Sequence, residues 1–206
     1  MMEQRTDEWF SARLGKVTAS RVSDVVAKTK SGYSASRDNY MAQLVCERLT
    51  NKPTESFSNA AMDWGTQTEP LARAAYEIYA NYFVNEVGFI DHPRILWSGA
   101  SPDGLVGDDG LIEIKCPNTS THIDTLLSQT VPKKYNDQMQ WQMACTGKEW
   151  CDFVSYDPRL PEHLRLFVKR IDRDAQYINL LEHEIIVFNG EIQEKLSKLK
   201  ALGGQL

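Results

Sequence analysis

The fold of this chain is decided by residues 99–117, which read GASPDGLVGDDGLIEIKCP. The Gly-Asp-Asp-Gly run at 107–110 suits a tight turn, so the stretch predicts two short strands joined as a hairpin. Asp103 lies at the end of the first strand. Helical and extended patterns occur on both sides of this hairpin, which predicts an α/β fold with a mixed β-sheet and flanking helices.

The second strand of the hairpin carries charged residues among apolar ones. Glu113 and Lys115 share one face of the strand, while Ile112 and Ile114 point to the other. A strand that pairs two charges on one face with apolar residues on the other breaks the usual inside-out pattern. Such a departure indicates a functional site.

Asp103, Glu113 and Lys115 suit the metal-dependent cleavage of a phosphodiester bond. Mg²⁺ is usually held by one or two carboxylates together with water and substrate phosphate. A lysine two residues beyond the glutamate can orient an attacking water and offset charge on the phosphate. A hairpin with a surface salt bridge is the alternative, and a bare Asp…Glu-x-Lys pattern would favour it. The Ser-Pro-Asp-Gly turn and the apolar flanks favour the functional interpretation.

Residues 102–103 (Pro-Asp) and 113–115 (Glu-Ile-Lys) match the signature of the PD-(D/E)XK nuclease superfamily. The longer strings SPDGL at 101–105 and EIKCP at 113–117 resemble the lambda-type phage exonucleases that act in recombination. This resemblance implies a restriction-endonuclease-like core, an α/β fold with a central mixed β-sheet flanked by helices. We expect one nuclease domain over residues 1–206, because neither a linker nor a composition shift divides the chain.

The composition is that of an ordinary globular protein, with 42% hydrophobic and 25% charged residues among 206. The N-terminus has no apolar segment typical of a signal peptide, so we expect a cytoplasmic protein, here in a bacterial host cell. The cysteines lack C-x-x-C spacing and the histidines are scattered, so no zinc site is predicted. A net charge of −5 argues mildly against a protein that coats nucleic acid, but it allows a local basic groove.

Arg13 and Ser20 flank a short connection between two predicted helices. Thr6 can cap the first helix and Gly15 ends it, while residues 18–20 begin the second. A guanidinium and a hydroxyl beside a helix start form a natural anion site. The residues alone favour a surface arginine and a capping serine.

The resemblance to the lambda-type exonucleases changes that interpretation. It implies that Arg13, Ser20 and Ser101 bind the terminal 5′-phosphate of a DNA strand.

A further helix is predicted to start near Pro70 and to run to about residue 81, which makes Glu69 an acid of its first turn. The resemblance places Glu69 in the active site, where it holds metal-bound water. It also implies that the segment around Met62 and Trp64 separates the two DNA strands, with Met62 as an apolar wedge. Met62 as a core residue is an equal alternative.

Gln138 and Gln142 lie four residues apart on one face of a helix predicted over residues 136–145. The resemblance assigns Gln138 a catalytic role, in which it bonds the active-site lysine or water. Lys133 and Lys134 are candidate contacts for backbone phosphate. The other predicted elements are a polar loop at 28–35, a helix at 36–49, a loop at 54–59, a strand at 83–91, a helix from 119, strands at 151–157 and 163–171, and a last helix to about 200.

The resemblance implies one or two Mg²⁺ ions, with Mn²⁺ as a substitute, held by Asp103, Glu113 and the carbonyl of Ile114. Lys115 and Gln138 would then position the attacking water. The implied partners are double-stranded DNA ends, two further copies of the chain in a homotrimeric ring, and a single-strand annealing protein.

The expected function is a Mg²⁺-dependent 5′→3′ exonuclease. It would degrade one strand of linear double-stranded DNA from 5′-phosphorylated ends and leave a 3′ single strand for recombination by strand annealing. One alternative is a PD-(D/E)XK endonuclease or junction resolvase without end preference. A second alternative is a non-catalytic DNA-end-binding recombination module, against which the intact Asp103, Glu113 and Lys115 speak.

Overall fold

The computed structural model of the chain describes residues 3–30, 32–54 and 60–203. Most of the loop predicted at 54–59 lies outside these residues. The helices are α1 (Asp7–Arg13), α2 (Val22–Val26), α3 (Ala35–Thr50), α4 (Ala60–Ala80), α5 (Thr119–Ser128), α6 (Lys133–Thr146) and α7 (Ala175–Gly203). The strands are β1 (Val17–Thr18), β2 (Lys28–Thr29), β3 (Gly32–Tyr33), β4 (Val84–Asn85), β5 (Ile90–Asp91), β6 (Ser98–Ala100), β7 (Gly104–Val106), β8 (Gly110–Lys115), β9 (Trp150–Tyr156) and β10 (Leu166–Asp172).

The main sheet has the strand order β10-β9-β8-β7-β4. The hairpin of β7 and β8 is antiparallel, as predicted, whereas β8 and β9 run parallel. A smaller sheet has the order β1-β6-β5, in which β1 and β6 are parallel. The sheets are therefore mixed, and helices flank them. Among the described residues, none of the helices is both long and apolar enough to cross a membrane.

Strand β8 is buried on both faces, and its alternation agrees with the prediction. Leu111 belongs to the larger core, which it shares with residues of α6 and α7. Ile112 and Ile114 belong to a second core, which α4 closes with Ala72 and Tyr76. Because apolar residues cover both sides of the strand, Glu113 is enclosed and only 1% exposed.

The prediction that Glu69 lies in the first turn of a helix is wrong. Helix α4 begins at Ala60 and continues through Pro70, so Glu69 lies in its middle. A proline inside a helix removes one N–H bond, here the bond to the carbonyl of Thr66. The helix nevertheless continues because Thr68, Ala72 and Tyr76 bury one face of it against the sheet.

Several other boundaries differ from the prediction. Residues 83–91 form two short strands in different sheets, rather than one strand. The segment 28–35 contains the hairpin of β2 and β3, and the helix expected from residue 18 begins as a three-residue 3₁₀ turn. The predicted strand at 163–171 starts only at Leu166, after a second 3₁₀ turn.

Candidate active site

Asp103 directly precedes β7, so it lies before the first strand of the hairpin and not at its end as predicted. Its side chain reaches across to the neighbouring strand. Its Oδ2 accepts a hydrogen bond of 2.6 Å from the backbone N–H of Ile114. Its Oδ1 accepts no hydrogen bond from the residues that the structure describes, so it is available to a ligand. Desolvation, followed by the nearby charge of Glu113, raises the pKa of Asp103 well above its ordinary value. A bound cation would relieve this repulsion.

Glu113 is held by three donors on one side of the sheet. Gln138 donates to Oε1 at 2.7 Å and Gln142 donates to Oε2 at 2.6 Å. The ammonium group of Lys115 also contacts Oε1. A carboxylate that is 1% exposed would be costly without such partners, and hydrogen bonds to a charged acceptor are the stronger kind.

Gln138 lies on the face of α6 that meets Glu113. The role expected for it is a bond to the active-site lysine or water, and in the structure its amide nitrogen donates to the carboxylate of Glu113. Gln142, one turn further along α6, makes the equivalent bond to the other oxygen and is fully buried. The sequence analysis put both glutamines on one face without assigning Gln142 a role. That shared face was the signal that could have identified the pair.

Lys115 lies beside Glu113 and at the cleft wall. Burial alone would lower the pKa of Lys115, but the charges of Glu113 and Asp103 outweigh it, and the pKa is raised. The ammonium nitrogen also lies 5.1 Å from the ring centre of Tyr135, within the range of a cation–π contact. Lys115 is therefore held positively charged close to both carboxylates.

Glu69 enters the same cleft from α4 between two arginines. Arg73 contacts Oε1 at 2.7 Å and Arg5 contacts Oε2 at 2.6 Å. Arg73 also pairs with Glu86 at 2.9 Å. Arg73 stands at the i,i+4 spacing of a helical ion pair with Glu69, which is the signal that could have found it, whereas Arg5 is 64 residues away and no local pattern marks it.

These groups surround a cleft of about 690 Å³ between α4, the hairpin and the start of α6. The described residues that line it are Arg5, Ala61, Met62, Gly65, Thr66, Glu69, Asp103, Ile114, Lys115, Cys116, Pro117, Lys134 and Tyr135. Burial raises the pKa of the Cys116 thiol to about 12, so this thiol is neutral and unreactive at ordinary pH. The cleft therefore brings Asp103, Ile114, Lys115 and Glu69 together.

The two predicted wedge residues have different surroundings. Met62 is 54% exposed and lines the cleft near the start of α4. Trp64 is not among the described lining residues, and its ring packs under the guanidinium of Arg159 at 4.3 Å. Met62 is thus in a position to meet a substrate, whereas Trp64 has the contacts of a packing residue.

A second polar cluster lies beside this cleft, around Ser101. The indole N–H of Trp9 donates to the Ser101 hydroxyl oxygen at 2.9 Å, and Arg13 donates to the same oxygen at 3.3 Å. The guanidinium of Arg13 stacks on the Trp9 ring at 4.0 Å. A serine hydroxyl accepts two hydrogen bonds and donates one. Both acceptor positions are occupied, so Ser101 can offer only its hydrogen to a ligand.

Ser20 lies at the same end of the small sheet as Ser101. Strands β1 and β6 are parallel, with Thr18 opposite Gly99. Ser20 lies two residues after Thr18, and Ser101 lies two residues after Gly99. Ser20 is exposed, and its hydroxyl lies 3.4 Å from that of Thr18. Burial lowers the pKa of Arg13, while the nearby Tyr40 and Glu47 act in the opposite direction. The three residues predicted to bind a 5′-phosphate thus share one edge.

Of the two lysines suggested as phosphate contacts, one is already paired. Lys133 contacts both carboxylate oxygens of Asp137 at 2.9 Å and the hydroxyl of Tyr177. Lys134 lines the cleft, and its ammonium nitrogen lies 4.7 Å from the centre of the Tyr135 ring. In the segment 28–35, Lys28 pairs with Glu184 of α7 at 2.7 Å.

The donor set of the cleft fits a hard divalent cation. Asp103 offers Oδ1 and the Ile114 backbone lines the same wall. Glu113 is not among the described lining residues, but it lies on the neighbouring strand and retains acceptor capacity at Oε2. Within the described ranges, no three His, Cys, Asp or Glu groups converge as a closed metal cage. Mg²⁺ does not require one, because it retains water and uses substrate phosphate to complete its coordination.

Comparison with known proteins identifies exonucleases of similar structure. The chain is similar to the alkaline exonuclease LHK-Exo from Laribacter hongkongensis, with a TM-score of 0.92, 55% identity and coverage of 97% of this chain and 99% of that one. The chain is equally similar to the crystal structure of LHK-Exo in complex with dAMP, with a TM-score of 0.92 and 56% identity over the same coverage. A phage related exonuclease from Haemophilus somnus has a TM-score of 0.74 at 14% identity, covering 89% of this chain and 96% of that chain, and shares the fold.

Two further comparisons concern the sequence. An uncharacterized protein of Acanthamoeba polyphaga mimivirus is 26% identical over 171 residues, which cover 74% of this chain but only 29% of that relative. The structural matches confirm the predicted PD-(D/E)XK-type fold. The match to LHK-Exo confirms the resemblance to lambda-type exonucleases. The model of the YqaJ-like viral recombinase domain matches residues 8–149, more than half of the chain. The protein therefore belongs to the family of YqaJ-like viral recombinase domains.

Proposed function

We propose that residues 1–206 form one nuclease domain that degrades one strand of linear double-stranded DNA in the 5′→3′ direction. The observation that carries this proposal is the position of Ser101. Its hydroxyl is bound by Arg13 and Trp9, and two residues later the chain reaches Asp103 in the acidic cleft. An anion site that close to a phosphodiester-cleaving site suits an enzyme that measures from a strand end. The similar LHK-Exo is an alkaline exonuclease and has been solved with dAMP, a mononucleotide.

Asp103 and Glu113, with the Ile114 carbonyl, would hold one or two Mg²⁺ ions, for which Mn²⁺ could substitute. Bound Mg²⁺ would lower the pKa of water and offset charge on the phosphate. Gln138 and Gln142 orient the Glu113 carboxylate through both of its oxygens. Lys115 orients the attacking water and offsets negative charge as the phosphate reacts. Glu69 accepts hydrogen bonds from water at the opposite wall.

Arg13, Ser20 and Ser101 hold the terminal 5′-phosphate. The guanidinium supplies charge and two parallel donors, while the Ser101 hydroxyl supplies its only free function, a hydrogen. Met62, exposed at the cleft entrance, enters between base pairs and separates the strands. A 5′-hydroxyl end lacks the terminal phosphate that this pocket binds, so such ends are poorer substrates.

The resemblance to lambda-type exonucleases supports two further parts of the proposal. The active assembly is a homotrimeric ring around DNA, and the 3′ single strand passes to a single-strand annealing protein. Sedimentation of the purified protein measures the first part. A mass of one or two chains at micromolar concentration would contradict the ring.

The deciding experiment is the release of nucleotides from blunt linear duplexes with Mg²⁺. Three substrates are compared: 5′-phosphorylated ends, 5′-hydroxyl ends and covalently closed circles, each also with Asp103→Asn as the inactive control. Rapid loss of the 5′-phosphorylated strand with intact circles is the expected result. Cleavage of circles would instead indicate an endonuclease, and binding without cleavage under any metal would indicate a non-catalytic end-binding module.

A further inference from the structure

Arg5 is a cation in the active-site cleft to which no role has been assigned above. Its guanidinium contacts Glu69 Oε2 at 2.6 Å, and the side chain is 50% exposed. It lines the same cleft as Asp103 and Lys115. The residue is also unusual in its backbone, because its φ of 69° lies in the left-handed region that favours glycine.

The backbone around Arg5 is held in place by its neighbour. The side-chain amide of Gln4 donates to the carbonyl of Val87 and to that of Pro102, both at 2.8 Å. Pro102 directly precedes Asp103, so these two hydrogen bonds fix the N-terminal segment against the metal-binding hairpin. An arginine in the left-handed region persists where the surrounding structure imposes it, and such positions concentrate at functional sites.

Glu69 keeps a cationic partner when Arg5 moves away. Arg73, which is only 13% exposed, contacts Oε1 of Glu69 at 2.7 Å, although it also pairs with Glu86 at 2.9 Å. The Arg5 side chain is 50% exposed, whereas that of Glu69 is 16% exposed, so the guanidinium is the partner that faces solvent. An incoming anion can therefore replace Glu69 as the partner of Arg5, while Arg73 stays on Glu69.

The two ends of α1 point to what that anion is. Arg13, at the end of the helix, contacts Ser101, whereas Arg5, just before its start, lines the cleft of Asp103. The seven residues of α1 span about 10 Å. Ser101 and Asp103 are two residues apart, about 7 Å along an extended chain, so a strand whose terminal phosphate lies at Ser101 would present its next phosphodiester group near Asp103, in the cleft that Arg5 lines.

We propose that Arg5 binds a non-bridging oxygen of the phosphodiester group that lies in the cleft, and that Glu69 holds its guanidinium when DNA is absent. This inference rests on the proposed function, since it takes the strand to run from the Ser101 pocket to Asp103. A guanidinium suits this task because its parallel N–H groups match two phosphate oxygens.

The test compares Arg5→Gly, Arg5→Lys and the matched control Arg94→Ala. Glycine suits a φ of 69°, so Arg5→Gly removes the side chain without straining the backbone. Arg94 is a good control because it is also an exposed arginine paired with a glutamate, at 2.8 Å from Glu182 of α7. Binding of a 5′-phosphorylated duplex is measured in EDTA over a range of salt, together with the thermal unfolding midpoint.

Arg5→Gly is expected to weaken binding about tenfold and to reduce the slope of log affinity against log salt by about one, as for one lost phosphate contact. Arg5→Lys should retain the slope, and Arg94→Ala should match the wild type. The unfolding midpoint of Arg5→Gly should equal or exceed that of the wild type.

The Glu69→Gln background separates phosphate binding from an effect exerted through Glu69. If Arg5 binds phosphate, Arg5→Gly weakens DNA binding in this background as well. If the loss disappears there, or if Arg5→Gly binds like the wild type, the inference is overturned while the nuclease activity of the wild type stands. A wild-type protein that neither binds nor degrades DNA ends would instead overturn the proposed function, and the inference with it.

Discussion

The metal-binding cleft and the Ser101 pocket are neighbours with opposite designs. Beside the cleft, the Glu113 carboxylate is enclosed, and Gln138, Gln142 and Lys115 each bond one of its oxygens. In the pocket, Arg13 and Trp9 occupy the acceptor positions of Ser101 and leave its hydrogen free. One site concentrates negative charge for a cation, and the other presents donors for an anion. The charge of each site therefore selects the charge of its ligand. The neutral donors Gln138, Gln142 and Trp9 hold the ligand-binding side chains in position.

The largest effect is expected from a substitution that changes the cleft and leaves the Ser101 pocket intact. Asp103→Asn removes the negative charge that a cation needs while it keeps the size of the side chain. We expect nucleotide release to fall on the order of 10³-fold, the scale of losing an electrostatic contact in the transition state. Binding of DNA ends in EDTA should be unchanged. A variant that retains a tenth of the wild-type rate would contradict the assignment of Asp103.

The next largest effect is expected from a substitution that changes the Ser101 pocket and leaves the cleft intact. Arg13→Ala removes a charged donor from the terminal phosphate, a loss of about 1.5–3 kcal/mol for hydrogen bonds with a charged partner. The rate on 5′-phosphorylated ends should fall about 10-fold to 100-fold, by the usual conversion of free energy to rate. The rate on 5′-hydroxyl ends serves as the control and should change little. Equal losses on both ends would show that Arg13 does not read the phosphate.

A third change tests the buried partners of Glu113. Gln142→Met keeps the volume of a side chain that does not line the cleft, but it removes a donor from Oε2. The free energy of unfolding should fall by about 1.5–3 kcal/mol, because a buried carboxylate loses a charge-assisted bond. Denaturation by urea measures this loss.

The control for that change is Gln142→Met combined with Glu113→Gln. In this background the charge is gone, and the penalty of removing Gln142 should shrink. Additive losses would mean that the two side chains do not interact.

A smaller effect is expected from Trp9→Phe, which sharpens the view of the pocket. The change keeps an aromatic ring for Arg13 to stack on but removes the N–H that bonds Ser101. Because a neutral hydrogen bond contributes about 0.5–1.5 kcal/mol, the preference for 5′-phosphorylated over 5′-hydroxyl ends should fall by roughly 2-fold to 10-fold. An unchanged preference would show that the Trp9 N–H does not orient the hydroxyl.

The smallest effect concerns a carboxylate outside both sites. Asp157 is fully buried and accepts from Arg159 at 2.7 Å and from Thr119 at 2.7 Å. Burial would raise the pKa of Asp157, but these hydrogen bonds outweigh it and lower the pKa to about 2 from an ordinary 3.8. Asp157→Asn should cost about 1 kcal/mol at pH 7, a modest value because Arg159 is half-exposed.

The sign of the pH dependence follows from that shift. A carboxylate whose pKa is lowered by folding stabilises the fold at pH values above its ordinary pKa. This contribution is lost as the pH falls through the pKa of the folded state. The stability gap between wild type and Asp157→Asn should therefore be constant above pH 5 and should close between about pH 4 and pH 2. Unfolding midpoints over this range measure it, and a gap that widens in acid would be evidence against the assignment.

Local patterns predicted most of the fold. The turn at 107–110 and the alternation around Glu113 depend on neighbouring residues, and both agree with the structure. The cap at Thr6 also agrees, because its side chain accepts from the N–H of Trp9 three residues later. The start of α4 was missed because Pro70 is typical of a first helical turn, and only packing against the sheet carries the helix through it.

The residues of the site divide in the same way. The sequence predicts Asp103, Glu113 and Lys115 as site residues, because their spacing on one hairpin matches both the chemistry and the family signature. Only the tertiary structure decided that Gln142 shares Glu113 with Gln138, that Trp9 orients Ser101, and that Arg5 meets Glu69. Those contacts join residues 25 to 92 positions apart. Side chains that meet across such separations leave no period in the sequence, since packing of distant elements, rather than local backbone preference, brings them together.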